Sequence, residues 1–159
     1  MCSAGEGRSR ERPYAASVKG DPILSPEANA AIARRYYEEV WDHGDLDEIE
    51  ALVAPSIVLN DWAPGLEGLK KVVTGTRASF PDLRYSLEDV IAAGDKVVVR
   101  FKFHGTHQGA YRGIAPTGKP IVYTGIGIWR LAGGQLVEHW SNIDLYGLMQ
   151  QLGAVPQPA

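Results

Sequence analysis

The chain has 159 residues and a mass of 17.3 kDa, room for one domain with an extension but not for separate cofactor and substrate domains. Hydrophobic residues make up 45% and charged residues 22%, the balance of a folded globular chain. A net charge of −3 without a basic stripe argues against a nucleic-acid binder, no apolar run approaches the ~20 residues that cross a bilayer, and the sole cysteine, Cys2, offers neither an internal disulfide nor a thiolate metal site.

Residues 1–24 hold Gly, Ser, Arg and Pro without periodicity and read as a flexible extension. They lack the apolar core of a signal peptide, so a soluble cytoplasmic protein is expected, with its domain over residues 25–159. Ser25-Pro26-Glu27 is a helix start: a capping hydroxyl, a residue whose missing N–H costs nothing, and a carboxylate at the positive end of the dipole. Ile32, Tyr36 and Val40 then recur at i, i+4 and i+8, with Ala33, Tyr37 and Trp41 widening the stripe, and Gly44 closes the helix. A short helix is predicted from Asp45, with Glu48 completing a capping box, until Pro55 stops it.

Ser56 to Trp62 reads as a strand, and residues 66–79 as a helix closed by Phe80-Pro81. Strands are predicted over 83–91, 96–107, 120–131 and 136–144, separated by turn residues and by the long loop 108–119. Leu145, Leu148, Met149 and Leu152 form a last amphipathic segment before Gly153. Helices first and an antiparallel meander afterwards predict an α+β fold, a curved sheet wrapped around helices with one open mouth. Such a cone places function in its pocket.

A turn at 132–135 sets a register for the last hairpin. Tyr123, Gly125, Gly127, Trp129, Glu138, Trp140, Asn142 and Asp144 then share one face, and Ile126, Ile128, Val137, His139, Ser141 and Ile143 lie on the other. A turn longer or shorter by one residue overturns this assignment. On the preceding strand, Phe101 and Phe103 share a face with His107. The expected site therefore takes Asp144 and His107 as catalytic residues, with Tyr36, Asn60, Trp62, Phe101, Phe103, Tyr123, Trp140 and Asn142 binding substrate.

Nucleotide loops, metal-ligand sets and nucleophile elbows are missing from the sequence, which leaves acid–base chemistry without metal or cofactor. A carboxylate buried beside tryptophan would be a proton carrier near neutrality. Asn142 and Tyr123 would hold an enolate or phenolate oxygen. The partner such a site implies is a small, largely apolar ring system. The apolar outer sheet face predicts self-association as a dimer.

Several segments resemble the SnoaL-like polyketide cyclase family: Phe80-Pro81-Asp82-Leu83, residues 97–101, Gly105-Thr106-His107-Gln108-Gly109, residues 116–119, and the run 137–153. The resemblance spans about residues 26–153. It implies the cone-shaped α+β barrel of the nuclear-transport-factor and steroid-isomerase superfamily, an oligomer, and cofactor-free aldol ring closure. It also implies that Asp144 is the general acid/base and that His107 assists. A frequent family histidine in the first strand is here Asn60, which points to a different substrate. Epoxide opening, or ligand binding without catalysis, are the alternative functions.

Overall fold

The computed structural model describes residues 24–155, so all of the expected extension except Leu24, and Cys2 with it, lies outside the described residues. Helix α1 spans Pro26–Arg35. It begins as its sequence dictates, with Ser25 Oγ accepting the Ala28 N–H at 3.2 Å. It does not run on as an α-helix to Gly44. From Tyr36 to His43 the chain is a π-helix, closed by Gly44 at φ 79°. The side chain of Arg77 and that of Arg84 donate to the Asp42 carbonyl, and Arg77 also reaches the Trp41 carbonyl. They satisfy carbonyls that the end of a helix leaves free.

Helix α2 is Asp47–Leu52, two residues later than the expected start, because Asp45 forms a local turn by accepting the Asp47 N–H. Strand β1, Val53–Leu59, follows at once. Pro55 thus lies inside an edge strand, where its missing N–H is tolerated, and does not end the helix. Helix α3 is Gly65–Ser79. The remaining strands are β2 Arg84–Ala93, β3 Lys96–Thr106, β4 Pro120–Ala132 and β5 Gln135–Ile143, and α4 is Leu145–Leu152.

One five-stranded sheet has the order β1-β5-β4-β3-β2. All neighbours are antiparallel except β1 and β5, which pair in parallel and correct the expectation of a purely antiparallel sheet. The helices lie on one side of it, so the fold is α+β, as the order of elements predicts. Val97, Val99, Phe101 and Phe103 of β3 and Tyr123, Trp129 and Leu131 of β4 are buried with Val40, Leu69, Val73 and Phe80 from the helical layer. Among the described residues, no helix is long and apolar enough to cross a membrane.

Candidate active site

The β4–β5 turn begins as expected, with Ala132 opposite Gln135 and Leu131 opposite Leu136. The register then shifts by one, so that Arg130 faces Glu138 and Trp129 faces His139. The extra residue, Val137, is a β-bulge, and beyond it every side chain of β5 changes face. This corrects the predicted site. Trp140 and Asn142 stand opposite Ile128 and Ile126 on the outer face, whereas His139 and Ser141 stand opposite Trp129 and Gly127 on the inner one. The Arg130–Glu138 ion pair, at 2.5 Å and largely buried, belongs to this register and not to the expected one.

The expected residues therefore divide into three groups. Tyr36, Phe101, Phe103, Tyr123 and His107 are all in the interior. Trp140, Asn142 and Asp144 line a groove of ≈ 540 Å³ on the outer face, with Arg100, Thr124, Gly125, Ile126, Ile128 and Ile143. Asp144 is not the buried carboxylate that was expected. It is exposed and caps α4, accepting the Gly147 N–H at 2.8 Å. Asn60 and Trp62 form the third group, after β1. Asn60, at φ 44°, uses both ends of its amide on Ser141: Nδ2 donates to the carbonyl at 3.2 Å and Oδ1 accepts the N–H at 2.9 Å. Its side chain thus extends the β1–β5 pairing and is not free to bind substrate. Trp62 is 52% exposed.

His107 is fully buried beneath Phe80. Its Nδ1 accepts the Thr117 N–H at 3.2 Å and lies 3.1 Å from Thr117 Oγ1. Accepting a backbone N–H places the ring proton on Nε2 when the imidazole is neutral. The His107 backbone also pairs with Gly118 and Lys119, so this residue fastens the 108–119 loop. Its Nε2 has no partner.

The centre of the interior is aromatic. Tyr85 lies 5.1 Å from Tyr37, 5.7 Å from Trp41, 5.1 Å from Phe101 and 5.4 Å from Phe103, centroid to centroid. Phe103 stacks on Tyr123 at 4.6 Å. The π-helix contributes Tyr36, Tyr37 and Trp41, and its i→i+5 ladder brings residues 36 and 41 to one face. The Trp41 side chain hydrogen-bonds that of Tyr36. Gly125 gives room for this packing: a Cβ there would stand 2.4 Å from Phe101 Cζ.

Burial pushes the phenols of Tyr36, Tyr85 and Tyr123 well above the usual tyrosine range, and that of Tyr37 to about 12. All four are neutral hydrogen-bond donors at pH 7. Tyr85 and Tyr123 are hydrogen-bonded to each other, and Tyr37 Oη accepts the Trp129 indole N–H at 3.3 Å. His139 stacks on Trp129 at 3.8 Å and 11°. Loss of solvation pushes its pKa down to about 3, so the ring is neutral, and its buried Nε2 has no hydrogen-bond partner.

The two histidines do not form one site. His139 pairs with Trp129, while His107 lies beyond the Thr106–Pro120 pair. About nine residues of β4 separate these rows, roughly 30 Å along the strand at ~3.3 Å per residue. Among the described residues no three His, Cys, Asp or Glu side chains group as metal ligands.

This arrangement has relatives. The family model for SnoaL-like polyketide cyclases matches residues 31–152. The chain belongs to the SnoaL-like polyketide cyclase family. AclR, a proposed hydroxylase from Streptomyces galilaeus, is 28% identical with a TM-score of 0.77, over 85% of this chain and 91% of its own. TsrD from Streptomyces laurentii is 27% identical with a TM-score of 0.77, over 83% and 99%. IdmH, a proposed polyketide cyclase from Streptomyces antibioticus, is 30% identical with a TM-score of 0.71, over 79% and 98%. No curated protein matches the chain.

Sequence reasoning missed His139 and Tyr85, and counted Tyr37 only as part of a helix stripe. The signal for His139 was the pair of opposite charges at Arg130 and Glu138. Setting them across from one another moves the register by one and turns His139 inward.

Proposed function

We propose that the protein closes a ring in a polyketide-type intermediate by acid–base catalysis without a cofactor, in the aromatic interior between the π-helix and the sheet. The observation that carries this reading is a set of four protonated phenols gathered among aromatic walls, Tyr36, Tyr37 and Tyr123 buried and Tyr85 half-buried. Neutral phenols in a dry site donate hydrogen bonds to an oxygen on which charge develops, and do so without reorganising. The walls hold a flat, mostly apolar substrate close to its reactive conformation. A polyketide chain is acidic between its carbonyls, so little more is needed to start condensation. Membership of the SnoaL-like family supports this choice of substrate class.

Asp144 and His107, which the resemblance would pair, lie on opposite faces of the sheet, one in a helix cap and the other holding a loop. The proposal therefore gives the chemistry to the interior set. The test supplies an aromatic poly-β-ketone ester and follows the product by mass spectrometry. Cyclised product from the wild type, reduced in Tyr85→Phe and Tyr123→Phe, is expected. Turnover of a size-matched epoxide but not of the ketone would favour epoxide opening. Protection against thermal unfolding without any product would favour a binding protein.

The outer face is proposed to pair with a second copy of the chain. Ile126 is 50% exposed there, and the groove it lines is apolar, with a border of Arg100, Lys102, Glu88 and Asp89 charges. A monomeric mass at micromolar concentration would count against this.

A further inference from the structure

The rings of the interior pack against one another, so a substrate reaches Tyr85 and Tyr123 only where a side chain can withdraw. The 108–119 loop carries such a side chain. Both of its ends are tied down. Gln108 and Gly109 donate their N–H groups to the Ser79 carbonyl at 3.0 Å, Ser79 Oγ donates to the Ala110 carbonyl at 2.7 Å, and His107 holds Thr117, Gly118 and Lys119. A Cβ on Gly109 would stand 2.1 Å from the Ala78 carbonyl oxygen, so the first end lies directly against α3. Between the ends, Tyr111 and Ile114 exchange two backbone hydrogen bonds, of 3.0 and 2.9 Å, across a tight turn with Arg112 at φ 48° and Gly113 at φ 82°. Among the described residues, this turn makes no hydrogen bond to the rest of the domain and is held by side chains. Tyr111 is half-buried, its ring 5.2 Å from that of Phe80. Phe80 meets Phe103 at 5.5 Å, and Phe103 stacks on Tyr123. Ile114, also half-buried, packs against the same core. On the water side, the Arg112 guanidinium stands 5.8 Å over the Tyr111 ring with Nε 3.4 Å from its hydroxyl.

We propose that Tyr111 is a specificity-determining residue of this protein; this rests on the ring-closure reading above. With Ile114 it forms a removable wall over the Tyr123 end of the interior, and the substrate enters the space given up when the 111–114 turn swings out. Ala110 on one side and Ala115-Pro116 on the other, all exposed, are the hinges. Opening leaves both anchors intact, because every hydrogen bond of the turn travels with it. Opening exposes one aromatic ring, one branched side chain and the Phe80 surface that they covered. An incoming flat ring restores that contact with Phe80 and Phe103, so an aromatic substrate offsets the cost of opening and a small polar solute does not. The size of the substrate is then limited by the room that Tyr111 and Ile114 vacate.

The test uses two flat, fluorescent phenols of different size, 2-naphthol and the larger 1-hydroxypyrene, with the wild type, Tyr111→Ala and Ile114→Ala. Association rates are measured by stopped flow and affinities by titration. Without the Tyr111–Phe80 ring contact, 2-naphthol uptake should be about tenfold faster. The larger probe should bind Tyr111→Ala at least about tenfold more tightly than the wild type, and the smaller probe should gain much less. Ile114→Ala should shift both quantities in the same direction, and it decides the matter if Tyr111→Ala does not fold. Equal rates and affinities for both probes in all three proteins overturn the proposal and leave the ring-closure reading standing. Binding of neither probe by any of the three overturns the proposal and that reading together. Amide exchange of the wild type is a check that needs no ligand. The Tyr111 and Ile114 N–H groups should exchange together and ahead of those of His107 and Gly118 at the anchors. One common rate for all four overturns the proposal.

Discussion

On the inner face of the sheet, β4 and β5 set Gly127 and Trp129 against Ser141 and His139, under a layer of neutral phenols. On the outer face the same strands carry Ile126, Ile128, Trp140 and Asn142, and β3 adds Arg100 and Lys102 paired with Asp89 and Glu88. Inside, the phenols and the His139 imidazole are neutral at pH 7, so a charge that appears during reaction is felt strongly. Outside, water screens exposed ion pairs to about 0–1 kcal/mol each. Which face a residue occupies therefore matters more to its chemistry than its identity does. Asp144 has the right functional group on the screened side. His139 has a weak base on the unscreened one.

The comparison breaks most completely if the ion pair that holds the bulged register is broken. Arg130→Met leaves Glu138 without its partner in a largely buried position. A loss of about 3 kcal/mol or more is expected, from an unpaired charge held out of water. Urea denaturation checks it, and a variant of native stability would show that the pair does not hold the register.

Acid should act through His139 next. Its folded pKa, about 3, lies below the ordinary 6.5, so between those values the unfolded chain binds the extra proton. The stability this residue contributes is complete above pH 6.5 and is lost as pH falls towards 3, with a slope approaching about 1.4 kcal/mol per pH unit. Denaturation midpoints across that range should steepen for the wild type relative to His139→Gln. Equal pH dependence of the two would refute the buried, neutral imidazole.

Adding a side chain at Gly127 is a smaller perturbation. Gly127→Val puts carbon where His139 Nε2 and Tyr37 Oη now stand close, and should cost about 1–3 kcal/mol of stability. Tryptophan fluorescence should change with it as His139 leaves Trp129. The outer face supplies the control. Asp144→Ala removes a helix cap and should cost about 1 kcal/mol, whereas Asp144→Asn keeps the cap and should change stability by only a few tenths. Under the proposal Asp144→Asn also turns over at the wild-type rate. A large loss of activity in a folded Asp144→Asn protein would return the chemistry to the outer groove.

Much of the fold was legible because local rules agreed with tertiary packing. Ser25-Pro26-Glu27 started a helix, the alternation of Val97, Val99, Phe101 and Phe103 turned one face inward, and Gly133-Gly134 marked a hairpin. What escaped depended on non-local support. Nothing in Tyr36–His43 distinguishes a π-helix from an α-helix until the arginines of α3 and β2 reach its carbonyls. The bulge at Val137 is one residue long and inverted the six residues of β5 that follow it. The resemblance carried family and fold correctly but could not show which face of β5 each side chain takes, because that depends on the pairing with β4.

The π-helix has a further consequence, for folding. Its end is held by Arg77 and Arg84, which lie 35 to 42 positions along the chain from the carbonyls they bind. The segment therefore lacks the local means to settle Tyr36, Tyr37 and Trp41 in their final geometry before α3 and β2 are docked. Ligand affinity should appear only with the last, global step of refolding. In a stopped-flow experiment, binding of a flat aromatic probe such as 2-naphthol would then lag the helical signal and coincide with the burial of tryptophan.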